Sequence, residues 1–207
     1  LTKFNTSLIS VNSSLLNNNF SKEIFNFPDL KDIGFIYSEI KVSDYSLDVL
    51  GSYKDSRDFP ALDKTSYLSV HLRFGTVSVR EIIRQISDSD PVFLSELIWR
   101  EFFMQILFNF PHVVLNSFKR KYDNIVWRNN KDEFKQWCEG KTGYPIVDAG
   151  MRQLNQTGYM HNRVRMIVAG FLCKHLLIDW RWGEKYFSQK LLDYELSSNN
   201  GNWQWAA

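Results

Sequence analysis

The chain has 207 residues and a formal net charge of +2, so it is long enough to bury a core and is neither strongly basic nor strongly acidic. The charge balance alone does not indicate a nucleic-acid-binding protein. The longest apolar run, residues 167–173, is too short to span a bilayer, and no stretch has the pattern of a signal peptide. Neither Cys138 nor Cys173 has metal-ligand spacing. We therefore expect a cytoplasmic protein with reduced thiols, no metal and no membrane association.

The N-terminal part has little periodicity. Residues 1 to about 30 are rich in Asn and Ser, which indicates an irregular segment. A short amphipathic piece, Ser46 to Tyr53, precedes a charged turn that ends at Pro60. We predict a linker over residues 1–50 and a helical domain over residues 51–207.

Residues 65–69 form a hydroxyl-rich segment, with the sequence Thr65, Ser66, Tyr67, Leu68 and Ser69. Hydroxyls and backbone amides before a helix can bind a phosphate. They can equally form an N-cap cluster, and the local sequence leaves both interpretations open.

Helix signals follow in series. Ser78 and Glu81 form a capping box that predicts a helix to about Ile86, and Asp90-Pro91 predicts a long helix that ends before Pro111. Further helices are predicted for Asn130 to Cys138, Tyr144 to Leu154, Met160 to Leu177 and Trp182 to Leu192. No alternating strand pattern appears after residue 60, so we predict an all-α, multi-helix fold.

The helix predicted from Met160 carries polar groups on an apolar background. Asn162, Arg165 and Met166 share one stripe, and buried polar groups need partners, so a bound ligand is expected there. Basic residues between Gly150 and Lys190 form either a positive binding face or a solvated helix face.

The last stretch places two tryptophans, Trp203 and Trp205, after Asn199, Asn200 and a predicted turn at Gly201. Flat aromatic surfaces beside amide groups suit planar heterocycles. A Trp-x-Trp pair alone is more typical of a buried aromatic plug, because aromatic side chains mostly bury area.

Six blocks in order resemble the flavin-binding helical domain of the photolyase and cryptochrome family. They lie at residues 96–102, 140–148, 151–155, 160–166, 177–184 and 198–205. The similarity extends from Tyr53 to Ala207 and is strongest to bacterial class I photolyases that repair cyclobutane pyrimidine dimers.

This resemblance implies FAD as the cofactor and the same all-α fold. The residues at cofactor-binding positions of the family are Tyr53, Thr65, Ser66, Tyr67, Leu68, Ser69, Arg100, Asn162, Arg165, Asp193, Tyr194, Glu195 and Asn199. Asn199 matches the residue that faces the flavin N5 and controls its protonation.

The resemblance also implies DNA containing pyrimidine dimers as the partner. The residues at dimer-binding positions are Glu96, Trp99, Phe103, Asn162, Arg163, Met166 and Trp205. Trp99 and Trp205 would stack on the flipped pyrimidines, and each stack returns about 1–3 kcal/mol against the cost of flipping. Trp203, Trp180 and Trp127 match an electron-transfer chain, while Trp137 and Trp182 are interpreted as packing. The implied reaction is light-driven dimer splitting by an electron from reduced FAD.

Some features depart from the family pattern. His175 stands where an aspartate is expected to pair with Arg165, and a protonated histidine there would repel the arginine. The chain also has no α/β antenna domain, so no antenna chromophore can be assigned, and it ends soon after the Trp-x-Trp pair. We therefore expect part of a longer protein, incomplete at its C-terminus, that binds FAD weakly or not at all.

Two other functions remain open. One is blue-light signalling of the cryptochrome type, and the other is a catalytically silent helical scaffold. Glu96, Trp99 and Met166 favour repair, because they belong to the dimer pocket of the family. A monomer is expected.

Overall fold

The computed structural model describes residues 14, 19, 21–23, 25–86 and 90–207. Most of the first twenty residues, where we predict an irregular segment, therefore lie outside the described residues. The chain divides into two units, residues 1–41 and residues 42–207. The first unit contains a turn in which the amide of Phe35 donates to the carbonyl of Leu30 at 3.0 Å, and Gly34 adopts a φ of 87°.

The second unit is helical, and its described residues include no strand. This confirms the prediction of an all-α fold. The helices are α1 (Leu50–Ser56), α2 (Leu68–Phe74), α3 (Val79–Gln85), α4 (Pro91–Asn109), α5 (Lys131–Glu139), α6 (Pro145–Thr157), α7 (Asn162–Gly170), α8 (Trp180–Lys190) and α9 (Leu196–Ala206).

Local signals explain several helix ends. The side chain of Ser78 accepts a hydrogen bond from the amide of Arg80 and caps α3. Asn130 caps α5 in the same way, and Gly140 ends that helix at a φ of 64°. Pro91 occupies the first turn of α4, where its missing amide hydrogen costs nothing. The capping signals read from the sequence therefore set these boundaries.

Two predicted elements differ from the structure. The helix predicted from Met160 to Leu177 is interrupted, because α7 ends at Gly170 and one π-helical turn, Phe171–His175, follows. The wider turn buries Phe171 and leaves His175 exposed.

The turn predicted at Gly201 is instead the interior of α9. A Cβ atom at Gly201 would lie 2.2 Å from the ring of Phe103. This glycine therefore serves close packing between α9 and α4.

Two apolar clusters form the core of the second unit. The larger cluster joins α5 to α9 around Trp137, Met151 and Trp203. The smaller one joins α1 to α4 around Leu68, Ile82 and Leu97. α4 and α9 pack against each other, so side chains of these two helices line the seam between the two clusters.

The contact between α8 and α9 is sensitive to one methyl group. A Cβ atom at Gly183 would lie 2.1 Å from the ring of Trp203, so we expect Gly183→Ala to lower the free energy of unfolding by about 1–3 kcal/mol. Gly170 is a helical glycine with open space around its Cβ position, and Gly170→Ala should instead stabilise by about 0.5–1 kcal/mol. Urea unfolding of both variants checks this, and equal effects would contradict the packing argument.

Candidate functional site

A cavity of about 620 Å³ opens at the seam between the two clusters. Leu68, Phe93 and Leu97 line it from the smaller cluster, and Phe187 and Trp203 line it from the larger one. Its size falls within the range of small-molecule and cofactor sites. The site is therefore built between the two halves of the helical unit.

The structure brings the predicted site residues together in this cavity. All the residues at cofactor-binding positions and all those at dimer-binding positions line it, as does Trp203. Trp180 and Trp127 do not line it. Residues up to 152 positions apart in the chain, such as Tyr53 and Trp205, thus share one surface.

Arg165 and Asp193 form a bidentate ion pair in the cavity wall. The guanidinium nitrogens of Arg165 lie 3.2 and 2.8 Å from the carboxylate oxygens of Asp193, whose side chain is 4% exposed. Burial raises the pKa of Asp193, but the charge and hydrogen bonds of Arg165 outweigh it, so the pKa is lowered overall. The carboxylate therefore stays ionised beside the arginine.

This pair corrects the expectation for His175. His175 is exposed on the π-helical turn and stacks on Phe171 at 5.3 Å, so it does not contact Arg165. The extra residue of the π-helical turn changes which side chains face inward after Gly170, and a sequence match could not show this. Asp193 supplies the carboxylate that the sequence comparison assigned to the position of His175.

The hydroxyls of residues 65–69 are held by defined partners. Ser66 Oγ accepts a hydrogen bond from the amide of Leu68 at 3.4 Å, but the N-cap residue of α2 is Tyr67, whose side chain makes no capping bond. Thr65 Oγ1 accepts one from the hydroxyl of Tyr159 at 3.0 Å, and Ser69 donates to Asp193. Tyr67 adopts a left-handed φ of 52° before α2. This segment therefore lines the cavity with a fixed set of hydroxyl groups.

Glu184 orients the amide of Asn199. Asn199 Nδ2 donates to the backbone oxygen of Glu184 at 3.2 Å and to its carboxylate Oε1 at 2.9 Å. The amide nitrogen is thereby engaged, so the amide oxygen is the atom that remains for a ligand in the cavity. Burial raises the pKa of Glu184, and the hydrogen bond from Asn199 opposes this rise.

The raised pKa of Glu184 gives a pH dependence of known sign. Its folded-state pKa lies above the unfolded value, so stability falls as the pH rises from about 4.3 through the folded pKa. Glu184→Gln removes this loss, and its stability relative to the parent protein should increase over that interval. Glu139→Gln is a control of opposite sign, because the hydrogen bond from Lys141 lowers the pKa of Glu139. The stability of this variant relative to the parent protein should decrease as the pH rises through the folded pKa of Glu139. Urea unfolding at several pH values measures both, and a pH-independent difference for Glu184→Gln would contradict the assignment.

The cavity mouth combines aromatic surface with paired charges. Trp99 and Trp205 are 53% and 68% exposed, whereas Trp203 behind them is 2% exposed. Glu96 Oε1 accepts from Arg57 at 2.7 Å, and Arg163 pairs with Asp58. Two residues at dimer-binding positions, Glu96 and Arg163, are therefore held by partners at the rim.

The three tryptophans of the predicted electron-transfer chain belong to one cluster. Trp203 and Trp180 are buried in the larger core cluster, and Trp127 is half-buried against it. Trp137, interpreted as packing, lies within the same core, with its indole nitrogen donating to the carbonyl of Val168 at 3.1 Å. The cluster thus extends from the cavity wall at Trp203 to the partly exposed Trp127.

Sequence reasoning missed several cavity residues. Arg57 and Asp58 belong to the charged turn before Pro60, and Arg73, Tyr159 and Asn202 also line the cavity. No local pattern predicts the rim pairs, because the residues that they join are 39 and 105 positions apart.

Comparison with known proteins identifies the family. The family described as the FAD binding domain of DNA photolyase matches residues 93–207, more than half of the chain. The chain belongs to the DNA photolyase family. Its assignment to class I within that family stays a prediction.

Individual photolyases show how much of the family's length is present. The chain is 47% identical over 177 residues to a deoxyribodipyrimidine photo-lyase of Vibrio cholerae, covering 81% of this chain and 38% of the relative. The structure of a class III photolyase from Agrobacterium tumefaciens aligns with a TM-score of 0.72 and 49% identity, over 77% of this chain and 35% of that one. A Synechocystis cryptochrome aligns with a TM-score of 0.71 and 40% identity, again over 77% and 35%. The chain spans little more than a third of these relatives.

Proposed function

We propose that this chain is the flavin- and dimer-binding part of a DNA photolyase that repairs cyclobutane pyrimidine dimers with light. The observation that carries the proposal is the single cavity lined by both sets of matched residues. A cofactor and a flipped dimer must lie close together for an electron to pass between them, and one shared cavity satisfies this requirement. We further propose a cytoplasmic monomer. Among the described residues, no helix is long and apolar enough to cross a bilayer.

The cavity residues fit FAD by their chemistry. Hydroxyls of residues 65–69 and the guanidinium groups of Arg100 and Arg165 suit phosphate and ribose oxygens. Asn199 presents an amide oxygen, and Asp193 keeps Arg165 in place. When bound, reduced FAD supplies the light-excited electron that splits the dimer. The protein residues would position the cofactor, exclude water and hold a hydrogen bond at the flavin N5 through Asn199.

The rim would receive the flipped dimer. Trp99 and Trp205 offer exposed aromatic faces on which pyrimidines can stack, and each such stack is worth about 1–3 kcal/mol. Glu96 would accept a hydrogen bond from a base edge, and Arg163 would contact a phosphate after leaving Asp58. Asn162, Met166 and Phe103 complete the lining.

The tryptophan cluster would supply electrons to the cofactor from outside. Trp203 is the member at the cavity wall, Trp180 is buried behind it, and Trp127 is partly exposed. Such a path keeps the cofactor reduced without opening the cavity to a reductant.

The test is dimer repair by the purified chain loaded with FAD. UV-irradiated oligothymidine should regain its base absorbance under blue light and not in the dark. A chain that holds FAD and binds the damaged oligonucleotide, yet restores no absorbance in the light, would contradict repair. Flavin reduction in the light together with no affinity for dimers would instead favour signalling of the cryptochrome type, which the alignment with a cryptochrome supports.

A further inference from the structure

A basic loop adjoins the outer end of the tryptophan cluster. We use this name for residues 117–128, which carry three consecutive cations, Lys119, Arg120 and Lys121. All three are exposed, and none forms an ion pair in the part of the chain that the structure describes. The loop therefore presents uncompensated positive charge.

The carboxylates of the loop and of the segment that follows it do not neutralise these cations. Asp123 pairs with Arg181 at 2.7 Å, and Glu133 pairs with Arg128. Lys131 and Asp132 are both exposed and cancel each other in charge. The net charge around the loop is therefore positive.

The loop is held in place against the core. The amide of Ser117 donates to Asp123 at 2.8 Å, and the amide of Phe118 donates to Gln204 Oε1 at 2.7 Å. At its other end, the amide of Arg128 donates to the carbonyl of Leu177 at 2.8 Å. Lys119, Arg120 and Lys121 precede Trp127 by only eight, seven and six positions. Residues Arg120–Asn124 of this stretch form a 3-10 helix, which rises only about 2 Å per residue, so the stretch spans at most about 22 Å.

Trp127 can be reached from solvent at this loop. It is half-buried, and its neighbours Val126 and Ile125 are 96% and 45% exposed. These exposed neighbours leave the indole accessible, and the unpaired cations earlier in the same loop attract anions towards it.

We propose that the basic loop is the docking site of an anionic one-electron reductant that donates to Trp127. The inference rests on the proposed electron path through the tryptophans. The reductant loses one electron, the oxidised indole of Trp127 gains it, and no bond breaks. Attraction by the loop raises the encounter rate of anionic donors above that of neutral donors. Added salt reduces this difference, because the Debye length shortens to about 10 Å at 0.1 M.

The first experiment needs no cofactor. Fluorescence quenching is measured in a background with Trp99→Phe and Trp205→Phe, which removes the two most exposed indoles, and a further Trp127→Phe variant isolates the signal of Trp127. The Lys119→Gln, Arg120→Gln, Lys121→Gln variant should reduce quenching by iodide about twofold at low salt and leave quenching by neutral acrylamide unchanged.

The matched control changes the same charge elsewhere. Lys54, Arg80 and Arg84 are exposed on α1 and α3, and their replacement by Gln should leave iodide quenching of Trp127 unchanged. A swap that keeps the charge, Lys119→Arg, Arg120→Lys and Lys121→Arg, should also leave it unchanged. Equal iodide quenching in the triple Gln variant and the control would overturn the proposal. A fall in acrylamide quenching as large as the fall in iodide quenching would also overturn it.

The second experiment uses the flavin-loaded protein. The rate of light-driven flavin reduction is measured with ferrocyanide, an anion, and with dithiothreitol, an uncharged thiol. The triple Gln variant should slow reduction by ferrocyanide about tenfold at low ionic strength and leave the dithiothreitol rate unchanged. Equal slowing with both donors would overturn the docking site. Absence of reduction with either donor would instead contradict the proposed electron path, while the quenching experiment still decides whether the loop attracts anions.

Discussion

Asp193→Asn should lower the free energy of unfolding by about 2–4 kcal/mol at neutral pH, because it leaves the guanidinium of Arg165 without its charged partner in the cavity wall. Asp193 is 4% exposed and Arg165 is 25% exposed, so solvent replaces the lost interaction only in part. Urea unfolding at neutral pH measures the effect.

The pH dependence of this variant provides a second readout. The pKa of Asp193 is lowered in the folded state, so its contribution is present above about pH 4 and is lost as the pH falls through the folded pKa. The difference between parent and variant should therefore shrink in acid. Glu139→Gln is the control, because Glu139 and its partner Lys141 are 40% and 69% exposed and such surface pairs contribute little. Similar losses for both variants would contradict the special role of Asp193.

Trp99→Ala and Trp205→Ala should each weaken binding of UV-irradiated oligothymidine about tenfold to a hundredfold, because each removes one stacking surface at the cavity mouth. Flavin content should be retained, since both indoles are exposed at the mouth. Fluorescence anisotropy of a labelled oligonucleotide and the flavin absorbance of each variant provide the two measurements.

Phe108→Ala is the matched control for stacking. Phe108 lies on α4 like Trp99 and is 85% exposed, but it does not line the cavity. Its removal should leave dimer affinity unchanged. If Phe108→Ala weakens dimer binding by the same factor, the tryptophans act through general surface hydrophobicity and not through stacking at the cavity.

Much of the helical framework follows from short-range signals. Ser78, Asn130 and Gly140 act at helix ends through bonds to residues a few positions away, so their effect is visible in the sequence. The π-helical turn at Phe171 has no comparable local signal, so the sequence did not show that His175 is exposed and away from Arg165.

The Trp-x-Trp stretch illustrates the same limit. Its sequence indicated a turn at Gly201, whereas the structure places that glycine inside α9, against the ring of Phe103. The requirement for glycine comes from a helix almost one hundred positions earlier in the chain, so no local pattern could reveal it.

The sequence by itself determined the all-α fold, the family and the residue types that a flavin and a flipped base require, because ordered blocks and helix caps are local patterns. Only the tertiary structure decided that these residues share one cavity and that Asp193 pairs with Arg165. The same holds for the rim, where Arg57 and Asp58 hold Glu96 and Arg163. These contacts join distant positions because α1 packs on α4 and α7 packs on α9, and packing of that kind depends on the whole core.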